Sequence, residues 1–306
     1  MNITVLGAGA MGCLFGGRLA EAGHRVTLVD IRSDVVDAIG RNGLVIEDSA
    51  GTRTVRLPAR RPPTGPDGHG PADLVVLFTK AQHTTAAVAA ASSWLGSDTW
   101  VMTLQSGIGV VDELRTRIDP QRIIVGTTTV PSDAVAPGRI RSLGAGTTRI
   151  MAVAGASERV RDIAAALSAA GLVCSVTDDV WPAIWEKLAF HAAMNALAAV
   201  TRLPIGQIGA TPDGRWLADA VVQEVIGVAR RKAIAADLDA VRATLAVAFR
   251  DHADHQPSML QDLLAGRTTE IDYVNGAVVR EAEALGMAVP VTAALWRLVR
   301  MREPGA

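Results

Sequence analysis

The sequence has few cysteines, no excess of charge of either sign and no long apolar run, and each absence excludes a class of protein. Only 2 of its 306 residues are cysteine, Cys13 and Cys174, so no disulfide framework can hold the fold together. Both lie in apolar surroundings, which is typical of a protein kept in a reducing compartment. We therefore expect cytoplasmic localisation.

Basic and acidic residues nearly cancel, with 30 Lys and Arg against 31 Asp and Glu. Proteins that bind nucleic-acid phosphates or acidic membranes carry a basic surface, so we expect neither partner, and we expect no metal site. The longest apolar stretches, such as residues 189–200, contain His191 and Asn195 and are shorter than the roughly 20 residues that span a bilayer. Because an apolar strand begins already at Ile3, we expect no export signal.

The pattern of apolar residues changes along the chain and predicts two domains. Short apolar runs predict strands of a parallel sheet at residues 3–6, 25–30, 73–78, 100–104, 123–126 and 173–176. Later segments have helical periodicity, near residues 215–236, 240–254, 270–285 and 292–301. The predicted fold is an α/β Rossmann-type dinucleotide-binding domain, residues 1–177, followed by an all-α substrate and catalytic domain, residues 178–306. Proline and glycine between residues 58 and 71 predict a surface loop.

A complete G-x-G-x-x-G motif follows the first predicted strand and opens the first helix: Gly7-Ala8-Gly9-Ala10-Met11-Gly12. In such a motif Gly7 permits a tight turn, Gly9 lets the backbone approach a pyrophosphate and Gly12 allows close helix packing. The N–H groups at the helix start, at Ala10 and Met11, attract the anion. A plain glycine-rich turn is the alternative, but the flanking strand and helix favour a cofactor site.

The choice of cofactor depends on two residues that follow the second predicted strand. Asp30 stands where an acidic residue accepts hydrogen bonds from the adenosine ribose, which favours NADH. Arg32 follows closely and would instead bind the 2'-phosphate of NADPH. An ordinary polar end of the strand is the alternative for Asp30.

A long apolar helix carries the candidate catalytic group. Hydride transfer to a ketone leaves negative charge on oxygen, so the site needs an acid at that atom. Lys187, His191 and Asn195 lie at i, i+4 and i+8, on one face of this helix. Lys187 is the candidate acid, and the alternative is a lysine that extends to solvent. His191 would lower the pKa of Lys187 if it were protonated, and the alternative is a neutral core histidine.

A second group of polar residues lies in the helical half, around Ser258 and Glu270. We expect Thr268 or Thr269 to cap a helix there. Glu270 and Asp272 would then stabilise the helix N-terminus electrostatically, which is the alternative to a role in the site.

The sequence resembles the ketopantoate reductase family along nearly its whole length. Six motifs occur in the order of the family: the N-terminal glycine motif, Thr79-Lys80-Ala81, Gly107-Ile108-Gly109, Gly126-Thr127-Thr128-Thr129, Trp185-Glu186-Lys187-Leu188 and Thr269-Glu270-Ile271-Asp272-Tyr273. The resemblance implies NAD(P)H-dependent reduction of the 2-keto group of ketopantoate to give pantoate, a precursor of pantothenate and coenzyme A. NADPH is the cofactor that the family favours.

The resemblance also implies residue roles. Lys187 would protonate the carbonyl oxygen, Glu270 would hydrogen-bond the substrate, Asn195 and Ser258 would bind it, and Lys80 would lie near the nicotinamide.

Three positions depart from the family pattern. Ser106 and His191 replace asparagines beside the nicotinamide and the substrate, and Ile31 replaces an arginine that holds the 2'-phosphate. A related dehydrogenase for another 2-ketoacid or an imine, with NADH preferred, is therefore the alternative.

A different class of function remains open as well. A dinucleotide sensor without catalysis would bind the cofactor through the same loop, but it would not need Lys187 and Glu270. The apolar helical half leaves room for a homodimer interface.

Overall fold

A computed structural model describes residues 1–62, 70–155 and 158–305 of the chain. Within them the chain forms two compact units. The first contains Met1–Gln105 and Val110–Val180, and the second contains Ser106–Gly109 with the chain from Trp181 onward. The loop predicted between residues 58 and 71 lies partly outside the described residues, at 63–69, and begins with a short strand at Ala59–Arg60.

The first unit combines strands and helices. Its strands are β1 (Asn2–Leu6), β2 (Arg25–Val29), β3 (Leu44–Asp48), β4 (Gly51–Val55), β5 (Ala59–Arg60), β6 (Leu74–Leu77), β7 (Trp100–Thr103), β8 (Ile123–Thr128), β9 (Asp133–Ala136), β10 (Arg139–Ser142), β11 (Thr148–Ala152) and β12 (Cys174–Val176). Its helices are α1 (Ala10–Glu21), α2 (Ser33–Asn42), α3 (Thr84–Ala90), α4 (Val110–Arg115) and α5 (Glu158–Ala169).

The main sheet has the strand order β12-β11-β8-β7-β6-β1-β2-β5. The six adjacent strands β8, β7, β6, β1, β2 and β5 are all parallel to one another. Strand β11 pairs with β8 in the antiparallel direction. Every residue of β6 and β8 is buried, as expected for strands covered on both faces. The chain moves from β1 to β2 and later returns to β6 on the other side of β1. This reversal of direction leaves a crevice at the carboxyl ends of β1 and β6, where open α/β sheets bind ligands.

A second sheet, in the order β4-β3-β10-β9, is absent from the sequence prediction. Helix α1 packs on this sheet, and a Cβ on Gly17 would lie only 2.5 Å from Cδ1 of Ile46 in β3. Buried Asp48 at the end of β3 accepts a hydrogen bond from Arg18 of α1 at 2.5 Å. These strands therefore depend on packing against α1 rather than on a long apolar run of their own.

The second unit contains only helices among its described residues: α6 (Trp181–Thr201), α7 (Ile205–Ala210), α8 (Pro212–Arg231), α9 (Leu238–Asp251), α10 (Ser258–Leu264), α11 (Asn275–Ala284) and α12 (Pro290–Arg300). The predicted fold class, an α/β domain followed by an all-α domain, is confirmed. Helix α6 is apolar on most of its surface and packs against α8, α10 and α12, as expected for a central helix. None of the helices in the described part of the chain has the length and hydropathy of a membrane-spanning segment.

The helix predicted from residue 270 begins five residues later, at Asn275. The N–H groups of Tyr273 and Val274 both donate to the carbonyl of Glu270, which forms a turn before the helix. Thr269 Oγ1 accepts from the N–H of Ile271 at 3.2 Å within this turn. The predicted cap at Thr268 or Thr269 is therefore wrong. Glu270 also lies too far from the first turn of α11 to serve its N-terminus, because the helix dipole acts only within that turn.

Candidate functional site

The glycine motif forms a tight turn between β1 and α1. Gly7 has φ +97°, and a Cβ on it would lie 2.7 Å from the backbone nitrogen of Thr79. A Cβ on Gly12 would lie 1.8 Å from the carbonyl oxygen of Gly7. Neither position accepts a side chain. A Cβ on Gly9 would meet nothing within 4 Å, so this side of the loop is open to a ligand.

The start of α1 completes an anion site beside this opening. Ala10 and Met11 are its first two residues, and the first N–H groups of a helix have no partner within the helix. They carry part of the positive end of the helix dipole. The arrangement fits the pyrophosphate of a dinucleotide.

Asp30 holds the glycine loop from the end of β2. Its Oδ2 accepts from the N–H of Ala8 at 2.7 Å, and its Oδ1 accepts from the N–H of Arg32 at 2.9 Å. The sequence suggested only a contact with ribose, and the bond to the loop is a second role. A carboxylate has about four acceptor positions, so Asp30 can still accept from ribose hydroxyls.

The guanidinium of Arg32 is paired with the next carboxylate along the chain. Arg32 Nη2 lies 2.5 Å from Asp34 Oδ2, and Nε donates to Oδ1 at 3.2 Å. This hydrogen bond raises the pKa of Arg32 and lowers the pKa of Asp34. A 2'-phosphate would have to compete with Asp34 for the guanidinium. Ile31, between Asp30 and Arg32, is 69% exposed and offers no charge.

Lys80 lies at the same edge of the sheet as the glycine loop. It follows β6, whose last residue Leu77 pairs with Leu6 of β1. The N–H of Phe78 donates to the carbonyl of Leu6 at 2.8 Å, which keeps the start of the Thr79-Lys80 turn against the loop. Lys80 itself is half-buried.

Sequence reasoning missed Gln105, which supports this turn. Its Nε2 donates to the carbonyl of Thr79 at 2.8 Å, and its Oε1 accepts from Thr103 at 2.9 Å. The only signal in the sequence was its place directly before Ser106.

Ser106 belongs with the helical unit rather than with the sheet that precedes it. Gly107 next to it has φ +119°, and a Cβ there would lie 2.8 Å from the carbonyl oxygen of Tyr273. The N–H of Ile108 donates to that same oxygen at 3.3 Å. The Ser106–Gly109 loop therefore lies against the turn that carries Glu270.

Helix α6 presents Lys187, His191 and Asn195 as a partly exposed polar strip between buried apolar residues. Burial lowers the pKa of Lys187 and the nearby charge of Glu270 raises it, and because burial has the larger effect the pKa is lowered to about 8. Lys187 therefore remains mostly protonated at neutral pH, yet loses its proton far more readily than an ordinary lysine.

The structure favours the neutral state of His191. Burial, together with the smaller effect of the charge of Lys187 one turn away, lowers its pKa to about 3. At neutral pH the imidazole is uncharged, so it does not repel the ammonium. It keeps one donor nitrogen and one acceptor nitrogen.

Lys187, His191 and Glu270 lie near one another in the helical unit, since the charge of Glu270 shifts the pKa of Lys187 and the charge of Lys187 shifts the pKa of His191. Ser258 is exposed at the first residue of α10, which packs on α6. Asn275, the first residue of α11, is fully buried and donates from Nδ2 to the carbonyl of Ala192 at 3.0 Å. This bond ties the segment after Glu270 to the helix that bears Lys187.

Comparison with known proteins gives matches over the whole chain. Residues 3–155 match the family described as "Ketopantoate reductase PanE/ApbA", and residues 179–303 match "Ketopantoate reductase PanE/ApbA C terminal". The 2-dehydropantoate 2-reductase of Halobacterium salinarum is 34% identical over 304 residues, covering 99% of this chain and 99% of that protein. The protein of the same name from Streptococcus pyogenes is 30% identical over 305 residues, covering 99% and 98%.

A solved structure is also similar over nearly the full length. It is D-mandelate dehydrogenase with NADH and anilino(oxo)acetate, which matches with a TM-score of 0.93 at 30% identity and covers 99% of this chain and 98% of that chain.

Proposed function

The chain belongs to the ketopantoate reductase family, and we propose that it reduces the 2-keto group of ketopantoate to give pantoate. It is an NAD(P)-dependent oxidoreductase of the 2-dehydropantoate 2-reductase type. The observation that carries the proposal is Lys187, whose pKa is lowered to about 8 beside the charge of Glu270. An acid with a pKa near the working pH is the group that carbonyl reduction requires.

Each residue of the helical site has a part in this reaction. The bound nicotinamide supplies the hydride. Lys187 donates its proton to the carbonyl oxygen, where negative charge develops during the transfer. Glu270 hydrogen-bonds the substrate and raises the pKa of Lys187, which keeps the ammonium protonated until it is used.

The remaining polar side chains bind the ketoacid. Asn195 and Ser258 contribute hydrogen bonds, and neutral His191 contributes a donor or an acceptor one turn from Lys187. Ser106 would hydrogen-bond the substrate and the nicotinamide from its loop. A neutral imidazole in place of an amide changes both the volume and the hydrogen bonds offered to the substrate.

We propose that the enzyme prefers NADH. Gly7, Gly9 and Gly12 with the start of α1 would hold the pyrophosphate, and Lys80 would lie toward the nicotinamide. Asp30 would accept from the ribose hydroxyls and would repel a 2'-phosphate. The pairing of Arg32 with Asp34 supports this preference, because a guanidinium already bound to a carboxylate is a poorer phosphate ligand.

A second candidate substrate is a 2-ketoacid with an aromatic side chain. The likeness to D-mandelate dehydrogenase, at a TM-score of 0.93, supports it, because mandelate is a 2-hydroxy acid with a phenyl group. The departures at Ser106 and His191 support it too, since both residues would lie where the substrate is distinguished.

One assay tests both candidates and the cofactor preference. Purified protein is given ketopantoate, an aromatic 2-ketoacid or a small aliphatic 2-ketoacid, with NADH or NADPH, and the loss of reduced-cofactor absorbance is followed. Turnover of ketopantoate at the highest kcat/KM supports the main proposal, and a preference for the aromatic ketoacid supports the second. No turnover with any ketoacid, together with tight binding of the cofactor, would instead indicate a sensor.

Lys187→Ala tests the chemical role directly. We expect kcat to fall by at least about a hundredfold, the lower range for a positioned acid, while cofactor affinity stays nearly unchanged. Lys232→Ala is the matched control, because Lys232 pairs with Glu281 on the surface of the same unit. Unchanged turnover in Lys187→Ala would exclude the proposed proton donor.

A further inference from the structure

We propose that Glu303 and Trp296 are positioning residues that hold the turn bearing Glu270 in place beside Lys187. The inference rests on the proposed function, in which Glu270 binds the substrate. Neither residue belongs to the motifs that the sequence singled out. Both come from the end of the chain, in α12 and just after it, and both bond to residues that flank Glu270.

The N-terminal side of Glu270 is held by Glu303. Glu303 Oε1 accepts two hydrogen bonds from the residue before Glu270, one from the N–H of Thr269 at 2.7 Å and one from its Oγ1 at 2.6 Å. Thr269 is only 6% exposed. Hydrogen bonds to a charged acceptor in a partly buried place are among the stronger ones. They fix the backbone directly before the carboxylate that the substrate would meet.

The C-terminal side of Glu270 is held by Trp296. The indole Nε1 donates to Oδ1 of Asp272 at 2.6 Å. The same ring lies so close to α11 that a Cβ on Gly276 would be 2.8 Å from Nε1. Arg280 adds a bond from Nη2 to the carbonyl of Asp272 at 2.8 Å. The tryptophan therefore fixes the residue two positions after Glu270 and the helix that follows.

Between these two anchors the turn has little freedom. Ile271 is 1% exposed, and the carbonyl of Glu270 accepts from the N–H groups of both Tyr273 and Val274. Loss of either anchor would let the Glu270 backbone move without unfolding α11, since the helix keeps its own bond from Asn275 to α6.

A movement of Glu270 should change the pKa of Lys187. Burial lowers the pKa of the Lys187 ammonium, the charge of Glu270 raises it, and His191 is neutral at the pH of the assay. If Glu270 moves away, its raising effect on the pKa of Lys187 is lost, whereas burial still lowers that pKa. The pKa of Lys187 should then fall, and the pH at which ketoacid reduction is half-maximal should fall with it.

The test compares two variants of Glu303. In Glu303→Ala both bonds to Thr269 are lost, and we expect kcat/KM for the ketoacid to fall by roughly tenfold or more, mainly through KM. We also expect the alkaline midpoint of reduction to move to lower pH. In Glu303→Gln the amide oxygen still accepts from Thr269, so activity and midpoint should return most of the way to the wild-type values. Glu281→Ala is the control, because Glu281 lies on α11 but pairs with Lys232 on the surface.

Trp296→Phe removes the indole donor and keeps an aromatic ring. It should move the alkaline midpoint of reduction to lower pH, as Glu303→Ala does. If Glu303→Ala does not fold, Trp296→Phe tests the positioning role in its place. Thermal unfolding is measured for each variant, because a residue that only stabilises the helical unit would change the melting temperature and leave the midpoint where it was.

The outcomes separate this inference from the proposed function. Wild-type kcat/KM and midpoint in both Glu303→Ala and Trp296→Phe, with normal wild-type turnover and an inactive Lys187→Ala, would overturn the positioning role alone. No turnover by the wild-type enzyme with any 2-ketoacid would overturn the proposed function instead.

Discussion

A change from neutral to alkaline pH should slow ketoacid reduction and speed the reverse oxidation of the hydroxy acid. Reduction needs Lys187 as an ammonium that donates a proton, and oxidation needs it as a neutral amine that accepts one. The two directions therefore respond to the same ionisation with opposite sign.

The magnitude follows from the environment of Lys187, where burial outweighs Glu270 and lowers the pKa to about 8. Such a group is about 90% protonated at pH 7 and about 10% protonated at pH 9. We expect the kcat of reduction to fall about tenfold over this range, and the kcat of oxidation to rise by a similar factor. His191 adds no ionisation here, because its pKa is lowered to about 3.

The assay measures initial rates in both directions at constant ionic strength, with cofactor and substrate kept saturating at each pH. Lys187→Arg is the informative variant, because a guanidinium stays charged at every pH used. Its residual activity should lack the alkaline decline. A wild-type reduction rate that is flat from pH 7 to pH 9, or the same decline in Lys187→Arg, would refute the reasoning.

Two further predictions concern the cofactor and acid stability. Asp30→Ala should weaken NADH binding by roughly tenfold more than NADPH binding, since only the unphosphorylated ribose uses the carboxylate, and equal losses in cofactor titrations would contradict this. His191 has a pKa lowered to about 3 in the folded chain, so the unfolded chain takes up a proton that the folded chain excludes, and stability falls as the pH drops below about 6.5. Between pH 7 and pH 5 the wild type should lose up to about 2 kcal/mol of unfolding free energy through this group, and His191→Asn should not lose it. Equal losses in the wild type and in His191→Asn, measured by urea unfolding at both pH values, would argue against a neutral imidazole at this position.

Much of the architecture could be predicted because its signals are local. The strands β1, β6 and β8 contain short runs that are mostly apolar, and this pattern is typical of buried parallel strands. The second sheet was not predicted, because its strands β4 and β10 lack such apolar runs. Its strand β10 has the short sequence Arg-Ile-Arg-Ser, and it is stabilised by pairing with β3 and by ion pairs between its arginines and Glu47. Such cross-strand partners are distant in sequence, so no local pattern reveals them.

The start of α11 shows the same limit within the candidate site. Helical periodicity predicted a helix from residue 270, but residues 270–274 form a turn. Glu303 bonds to Thr269 directly before this turn, and Trp296 bonds to Asp272 within it. Tertiary context overrides local helix propensity when it offers better hydrogen bonds.

The sequence alone determined the glycine turn after β1 and the shared face of Lys187, His191 and Asn195. Both follow from local geometry: the first from a backbone that only glycine can adopt, and the second from the period of the α-helix. Tertiary structure decided the charge states of that face and the position of Glu270. A pKa depends on burial and on charges brought close by folding, and the turn bearing Glu270 is held by residues near the end of the chain.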